Sequence, residues 1–133
     1  MTHATRLAVI GSANVDTIVR VAALPAPGAT VLGSDLLTLM GGKGANQAVA
    51  AARLGAEVSF VGAVGVDAPG DAVLANLAHH GVTTTFVRRV HTPTGVAHIT
   101  VEASGENTIV VAPGANADVR LPAVLDSVDA CLA

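Results

Sequence analysis

The sequence predicts an α/β protein: a parallel sheet joined by helical crossovers, with a smaller second sheet standing off it. Three observations carry this. Short apolar runs alternate with helical stretches through glycine-rich loops, the pattern of strands feeding right-handed crossovers. Two extended stretches, 15–39 and 96–112, break that alternation and call for a sheet of their own. Hydrophobic residues make up 51% of the 133 and charged residues 13%, a balance that excludes disorder.

The elements follow in order. Residues 7–11 (Leu-Ala-Val-Ile-Gly) suit a buried parallel strand. Residues 15–21 are extended and β-branched, interrupted by Asp16 and Arg20. Leu-Pro-Ala-Pro-Gly at 24–28 is a turn, because its prolines fix φ and remove donors. A second extended stretch covers 30–39. Gly41-Gly42-Lys43-Gly44 then opens an alanine-rich helix over 45–54, stopped by Gly55. A buried strand is predicted at 57–61, a loop at 62–67, and a helix at 69–80 with proline at its start and Gly81 beyond its end. Residues 86–90 read as a short strand. Residues 96–103 and 108–112 flank Ser104-Gly105-Glu106-Asn107 as a β-hairpin. Residues 116–118 read as the cap of a last helix over 122–131.

Composition narrows the function. Ten acidic residues against seven basic ones give a net charge of −3, which argues against a phosphate-neutralising nucleic-acid binder. Phe60 and Phe86 are the only aromatics, so a base-stacking platform is excluded as well. The single cysteine, Cys131, cannot close an internal disulfide and points to a reducing compartment. Neither a signal-peptide apolar region nor an apolar run of the roughly 18 residues that span a bilayer occurs. The expectation is a soluble cytoplasmic protein without a membrane partner.

Glycine loops before helices invite a phosphate-binding reading. The Walker pattern fails, because Leu37 and Gly44 stand where Gly and Ser or Thr are required. The dinucleotide pattern fails at Gln47. What remains is a polar cluster at strand ends: Asn14 and Asp16 after the first strand, and Gly42, Lys43 and Asn46 at a helix N-terminus. Ligands of open α/β sheets bind beyond the carboxyl ends of strands. A carboxylate, two amides and the chain's only lysine suit a polyhydroxylated ligand. Spacing by itself favours the plainer reading, an Asx turn at Asn14 and a helix cap at Gly44–Asn46.

Gly41-Gly42-Lys43-Gly44-Ala45-Asn46-Gln47-Ala48, with Ala51-Ala52-Arg53-Leu54-Gly55-Ala56 and Phe60-Val61-Gly62-Ala63-Val64-Gly65-Val66-Asp67, resembles the first signature of the PfkB family of carbohydrate kinases. The lysine-containing wording is similar to its ribokinase branch. Gly11-Ser12-Ala13-Asn14-Val15-Asp16, Leu24-Pro25-Ala26-Pro27-Gly28, Thr94-Gly95-Val96-Ala97, Gly105-Glu106-Asn107 and Gly114-Ala115-Asn116 extend the resemblance over nearly the whole chain. It implies the N-terminal portion of a ribokinase-like three-layer α/β/α fold with a small protruding β lid built from 15–39 and 96–112.

The resemblance also implies roles. Asn14, Asp16, Gly42, Lys43 and Asn46 would contact sugar hydroxyls, and the lid would close over the sugar and pair with its copy in a homodimer. Ala97, Ile99 and Val111 would touch the sugar or pack within the lid. The implied reaction moves the ATP γ-phosphoryl group to a pentose, ribose above all. No catalytic residue is expected within these 133 residues. The family's catalytic aspartate, its ATP pocket, its magnesium-associated motif and its monovalent-cation loop would lie outside them, leaving the chain inactive alone. The alternatives are another PfkB sugar or nucleoside kinase, or a non-catalytic binding or dimerisation module. Ala29 replaces the glutamate usual after the Pro-Gly turn. Asp71 reads as a helix N-terminal charge, Asp67 as a loop-fixing residue, His79-His80 as a helix end and Cys131 as core.

Overall fold

The computed structural model describes residues 5–132. In chain order its elements are β1 (Arg6–Ile10), β2 (Asn14–Val21), β3 (Leu37–Gly41), α1 (Lys43–Arg53), β4 (Glu57–Gly65), α2 (Ala68–His79), β5 (Val87–Val90), β6 (Gly95–Glu102), β7 (Asn107–Ala112), a 3-10 turn (Gly114–Asp118) and α3 (Leu121–Leu132).

The parallel sheet has the order β1-β4-β5. Side chains alternate across β4, so its two faces take different partners. Val58, Phe60 and Val64 pack with Ala45 and Ala48 of α1 and Val73 and Leu77 of α2. Val61 packs with Val124 and Cys131 of α3. Helices therefore cover both faces, giving the expected three layers, and Cys131 is a buried core residue.

The second sheet, order β3-β2-β6-β7, is the predicted stand-off lid. β2 pairs antiparallel with β3 and parallel with β6, while β6 and β7 form the predicted hairpin. Cross-strand partners share a face. Asp16, Leu39, Ala97 and Val111 lie on one row, and Ile18, Leu37, Ile99 and Ile109 on the next.

Several boundaries differ from expectation. The extended stretch at 30–39 is a strand only from Leu37. At its upstream end the Ser34 hydroxyl oxygen accepts from Arg20 N–H (3.1 Å) while Ser34 N–H donates to the Arg20 carbonyl (2.8 Å), so a side chain replaces a rung of the ladder. The loop expected at 62–67 is strand through Gly65, because β5 pairs with Gly62–Gly65. Helix α1 starts at Lys43 instead of 45, with Gly42 as its N-cap. Residues 116–118 belong to the 3-10 turn instead of capping α3.

Asp67 fixes its loop as expected. Its carboxylate caps α2 by accepting from Gly70 N–H (2.8 Å) and accepts from the N–H (2.8 Å) and hydroxyl (2.6 Å) of Thr94, which is buried. Thr94 Oγ1 in turn accepts from Gly65 N–H (2.9 Å). Partial burial alone would raise the Asp67 carboxyl. The three hydrogen bonds and the Arg89 charge outweigh it and hold the group below its ordinary value. A depressed folded value stabilises the protein above the unfolded value, and that contribution is lost as pH falls through the folded one. Asp67→Ala is expected to cost about 1–3 kcal/mol at pH 7 and less under acid. Denaturant melts at pH 7 and pH 3 check this; an equal loss at both would mean that the charge contributes nothing.

Candidate functional site

The site forms where β1 passes into β2. Gly11 N–H still donates to the Val61 carbonyl (3.2 Å), and the chain then turns through Ser12 and Ala13. The first turn of α1 rests on this turn. Ala45 N–H donates to the Ser12 carbonyl (3.0 Å), satisfying one of the amides that a helix start leaves unpaired. The approach is backbone to backbone: a Cβ on Gly44 would stand 2.7 Å from Gly11 Cα. Gly42 has φ +95°, and a Cβ there would meet Ser12 O at 2.6 Å and Asn14 N at 2.9 Å. Lys43 and Asn46 are thereby brought beside Asn14 and Asp16.

The result is a cleft of about 320 Å³ between the start of α1 and the lid. Asn14, Asp16, Gly42, Lys43 and Asn46, all five predicted site residues, line it. Ser12 and Asn116 add polar groups. Ala97, Ile99, Ile109 and Val111 form its apolar roof, with Pro113 at the rim. A few polar groups opposed by an apolar wall is the usual build of a small-molecule site.

Asp16 is the chemical centre of the cleft. Its carboxylate lies over Gly41, where any Cβ would overlap it. Oδ1 is buried and has no hydrogen-bond partner among the described residues. Burial pushes the carboxyl above its ordinary value. An unpaired buried acceptor costs roughly 1–3 kcal/mol, more when charged, so the group is poised for donors from a ligand.

The plainer readings of these residues do not hold. Asn14 is a strand residue, paired with Gly41 and Gly95, and its Oδ1 accepts from Asn116 Nδ2 (2.8 Å), so it forms no Asx turn. No side chain caps α1. The sequence reading missed Ser12, Ile109, Pro113 and Asn116. Asn116 makes the most hydrogen bonds of these; the sequence singled it out only as a helix cap and within the Gly114-Ala115-Asn116 resemblance, with no site role.

Other polar residues stay outside the cleft. Asp71 pairs with Arg89 at 2.7 Å in the first turn of α2, as its charge there implied. His79 and His80 stack edge to face at 5.1 Å. Desolvation, then the charges of Arg53 and His79, push His80 below its ordinary value, so it makes a poor cationic cap. Among the described residues no group of three His, Cys, Asp or Glu is placed to hold a metal ion. No described helix is long and apolar enough to cross a membrane.

The model of the pfkB family carbohydrate kinases matches residues 4–132. The chain is 50% identical over 124 residues to a ribokinase of Bacillus subtilis, covering 92% of this chain and 42% of that one. It is 43% identical over 111 residues to a deoxyribokinase of Salmonella typhi, covering 83% and 36%. Its fold is similar to that of Arabidopsis thaliana ribokinase complexed with ribose and ATP, with TM-score 0.75, 41% identity, and coverage of 85% of this chain and 37% of that one. The chain thus spans about two fifths of the length of the curated relatives it matches.

Proposed function

Because the chain belongs to the pfkB family of carbohydrate kinases, we propose that its cleft is the sugar site of an ATP-dependent pentose kinase, with ribose as the acceptor. The unpaired Asp16 carboxylate carries this reading. It is a half-buried carboxylate with one buried oxygen, beside two amides and an ammonium, a set that suits polyhydroxyl recognition. In this reading Asp16 takes hydroxyl protons in hydrogen bonds, Asn14, Lys43 and Asn46 supply donors, and Gly42 lets the ligand approach backbone. Lid closure over the sugar would exclude water from phosphoryl transfer.

The residues present do not fit a magnesium site, since among the described residues Asp16 is the sole carboxylate lining the cleft. The same fact leaves no second carboxylate to take the attacking hydroxyl's proton. ATP, magnesium, any monovalent cation and the catalytic base are assigned in this proposal to other parts of a full-length kinase. The 133 residues are one part of its domain. A homodimer through the lid belongs to the same reading. Leu37 and Leu39, on β3 and outside the cleft lining, are each about half exposed, an apolar surface that a partner lid would cover.

Calorimetry with ribose, 2-deoxyribose, fructose and adenosine tests the assignment. Ribose is expected to bind most tightly, and the chain with ribose, ATP and magnesium is expected to release no ADP. Tighter binding of adenosine or fructose would overturn the choice of sugar; tighter 2-deoxyribose would move it to the deoxyribokinase side. No binding at all would sink the site. Sedimentation equilibrium on the same sample separates dimer from monomer.

A further inference from the structure

We propose that Asn116 is a positioning residue that fixes the orientation of the Asn14 amide, so that Asn14 meets a ligand only as a hydrogen-bond donor. The proposal deepens the sugar-site reading and rests on it for the ligand.

The argument runs through backbone groups whose chemistry is unambiguous. Asn116 Oδ1 accepts from Ala13 N–H at 3.0 Å. A backbone N–H can only donate, so that atom must be the oxygen. Asn116 Nδ2 then faces three oxygens: the carbonyls of Ala13 (3.2 Å) and Pro113 (3.0 Å), and Oδ1 of Asn14 (2.8 Å). Two of those are carbonyls and can only accept, which confirms the position of the nitrogen. The Asn14 atom facing a donor must itself be an acceptor. Its oxygen is thus turned toward Asn116, and its NH2 is the group left for the cleft that Asn14 lines.

The two amides are closely packed. Gly95 lies beneath the two amides, and a Cβ there would overlap Asn116 Nδ2 and come within 2.6 Å of Asn14 Oδ1. Ala115 N–H donates to the Pro93 carbonyl (2.8 Å), which anchors the 3-10 turn from which Asn116 projects. Flipping Asn14 would place NH2 against NH2, leaving donors without acceptors.

Asp16, ionised, can only accept, and Asn14 so held turns its oxygen to Asn116 and its NH2 donor to the cleft. The pair selects a group that does both, a hydroxyl that gives its proton to Asp16 and takes a hydrogen bond from Asn14. A carbonyl or an ether oxygen would satisfy Asn14 alone.

Side-chain amide hydrogen exchange, followed by NMR in the ligand-free protein, tests the orientation without any ligand. The Asn116 NH2 protons are expected to be protected and the Asn14 NH2 protons to exchange freely. Protected Asn14 protons before any ligand is added would overturn the proposal. Ribose is then expected to slow exchange at Asn14. If the exchange pattern holds and ribose does not bind, the sugar reading fails and the orientation stands. If ribose binds while Asn14 is already protected, the orientation fails and the sugar reading stands.

A double-mutant cycle on ribose affinity separates positioning from simple structural support. Asn116→Ala is expected to weaken binding about tenfold in the natural background and less than twofold in Asn14→Ala. Equal weakening in both backgrounds would overturn the proposal. Asn116→Asp retains the acceptor for Ala13 N–H and removes the donor, so it is expected to match Asn116→Ala in affinity. Should Asn116→Ala fail to fold, Asn116→Asp carries the cycle; ribose affinity unchanged in Asn116→Asp would likewise overturn it.

Discussion

Asp16→Asn is expected to weaken ribose binding about ten- to a hundredfold while leaving the ligand-free protein at least as stable. The loss follows from exchanging a charged acceptor for a neutral amide. A hydrogen bond to a charged group contributes roughly 1.5–3 kcal/mol, and that range sets the fold-change. The stability follows from the same burial. Burial raises the Asp16 carboxyl in the folded state, so ionising it opposes folding. Its favourable contribution is complete below the ordinary value near 3.8 and is lost as pH rises through the raised folded value. The asparagine variant has no such dependence. Calorimetry with ribose and thermal melts at pH 4 and pH 8 check both halves. A variant that binds ribose normally would remove Asp16 from the site; one that melts well below the natural protein at pH 8 would mean that the charge supports the fold.

Gly42→Ala should cost about 2–5 kcal/mol of folding stability, a large share of the 5–15 kcal/mol that holds a typical domain together. Two penalties combine. The residue has φ +95°, a region that side chains rarely adopt, and its Cβ would strike Ser12 O, Ala13 Cα and Asn14 N at 2.6–2.9 Å. These are backbone atoms and cannot swing aside. Gly55→Ala is the control, since Gly55 has φ +92° and nothing within 4 Å of its would-be Cβ. It is expected to lose about 1–2 kcal/mol from backbone strain alone. The difference between the two variants in urea melts isolates the contact between α1 and the turn after β1. Equal losses would mean that this turn yields to the added methyl.

The polar floor of the cleft was legible in the sequence because its residues have no other employment. Asn14, Asp16, Lys43 and Asn46 follow apolar or glycine-rich stretches, so they stood out as a polar cluster once the strand ends were placed; spacing alone still favoured turn and cap roles, and the family resemblance supplied the ligand role. The core strands were legible for the complementary reason, as apolar runs bounded by glycine. Features decided by distant partners were not. Gly62–Gly65 looks like a loop until β5 pairs with it. Residues 30–36 look extended, yet the Ser34 side chain ends the ladder at Arg20. Asn116 reaches Ala13 across 103 positions of chain, and no local pattern signals such a contact.

The parallel pairing of β2 with β6 makes the second sheet dependent on distant contacts. These strands hold the centre of the lid, and their contacts join residues about 80 positions apart. Every rung between them closes a loop containing α1, β4, α2 and β5. Such closure must be met in chain entropy before any contact rewards it, which makes distant strand pairing slow. The hairpin of β6 with β7 is local and forms without that wait. During synthesis β2 leaves the ribosome long before β6 exists, with one edge open. Asn14 and Asp16 therefore gain their β6 neighbours, Gly95 and Ala97, only when that long loop closes. If the cleft binds ribose as proposed, ribose binding during refolding is expected to appear no earlier than the pairing of β2 with β6, which stopped-flow binding compared with backbone recovery would check.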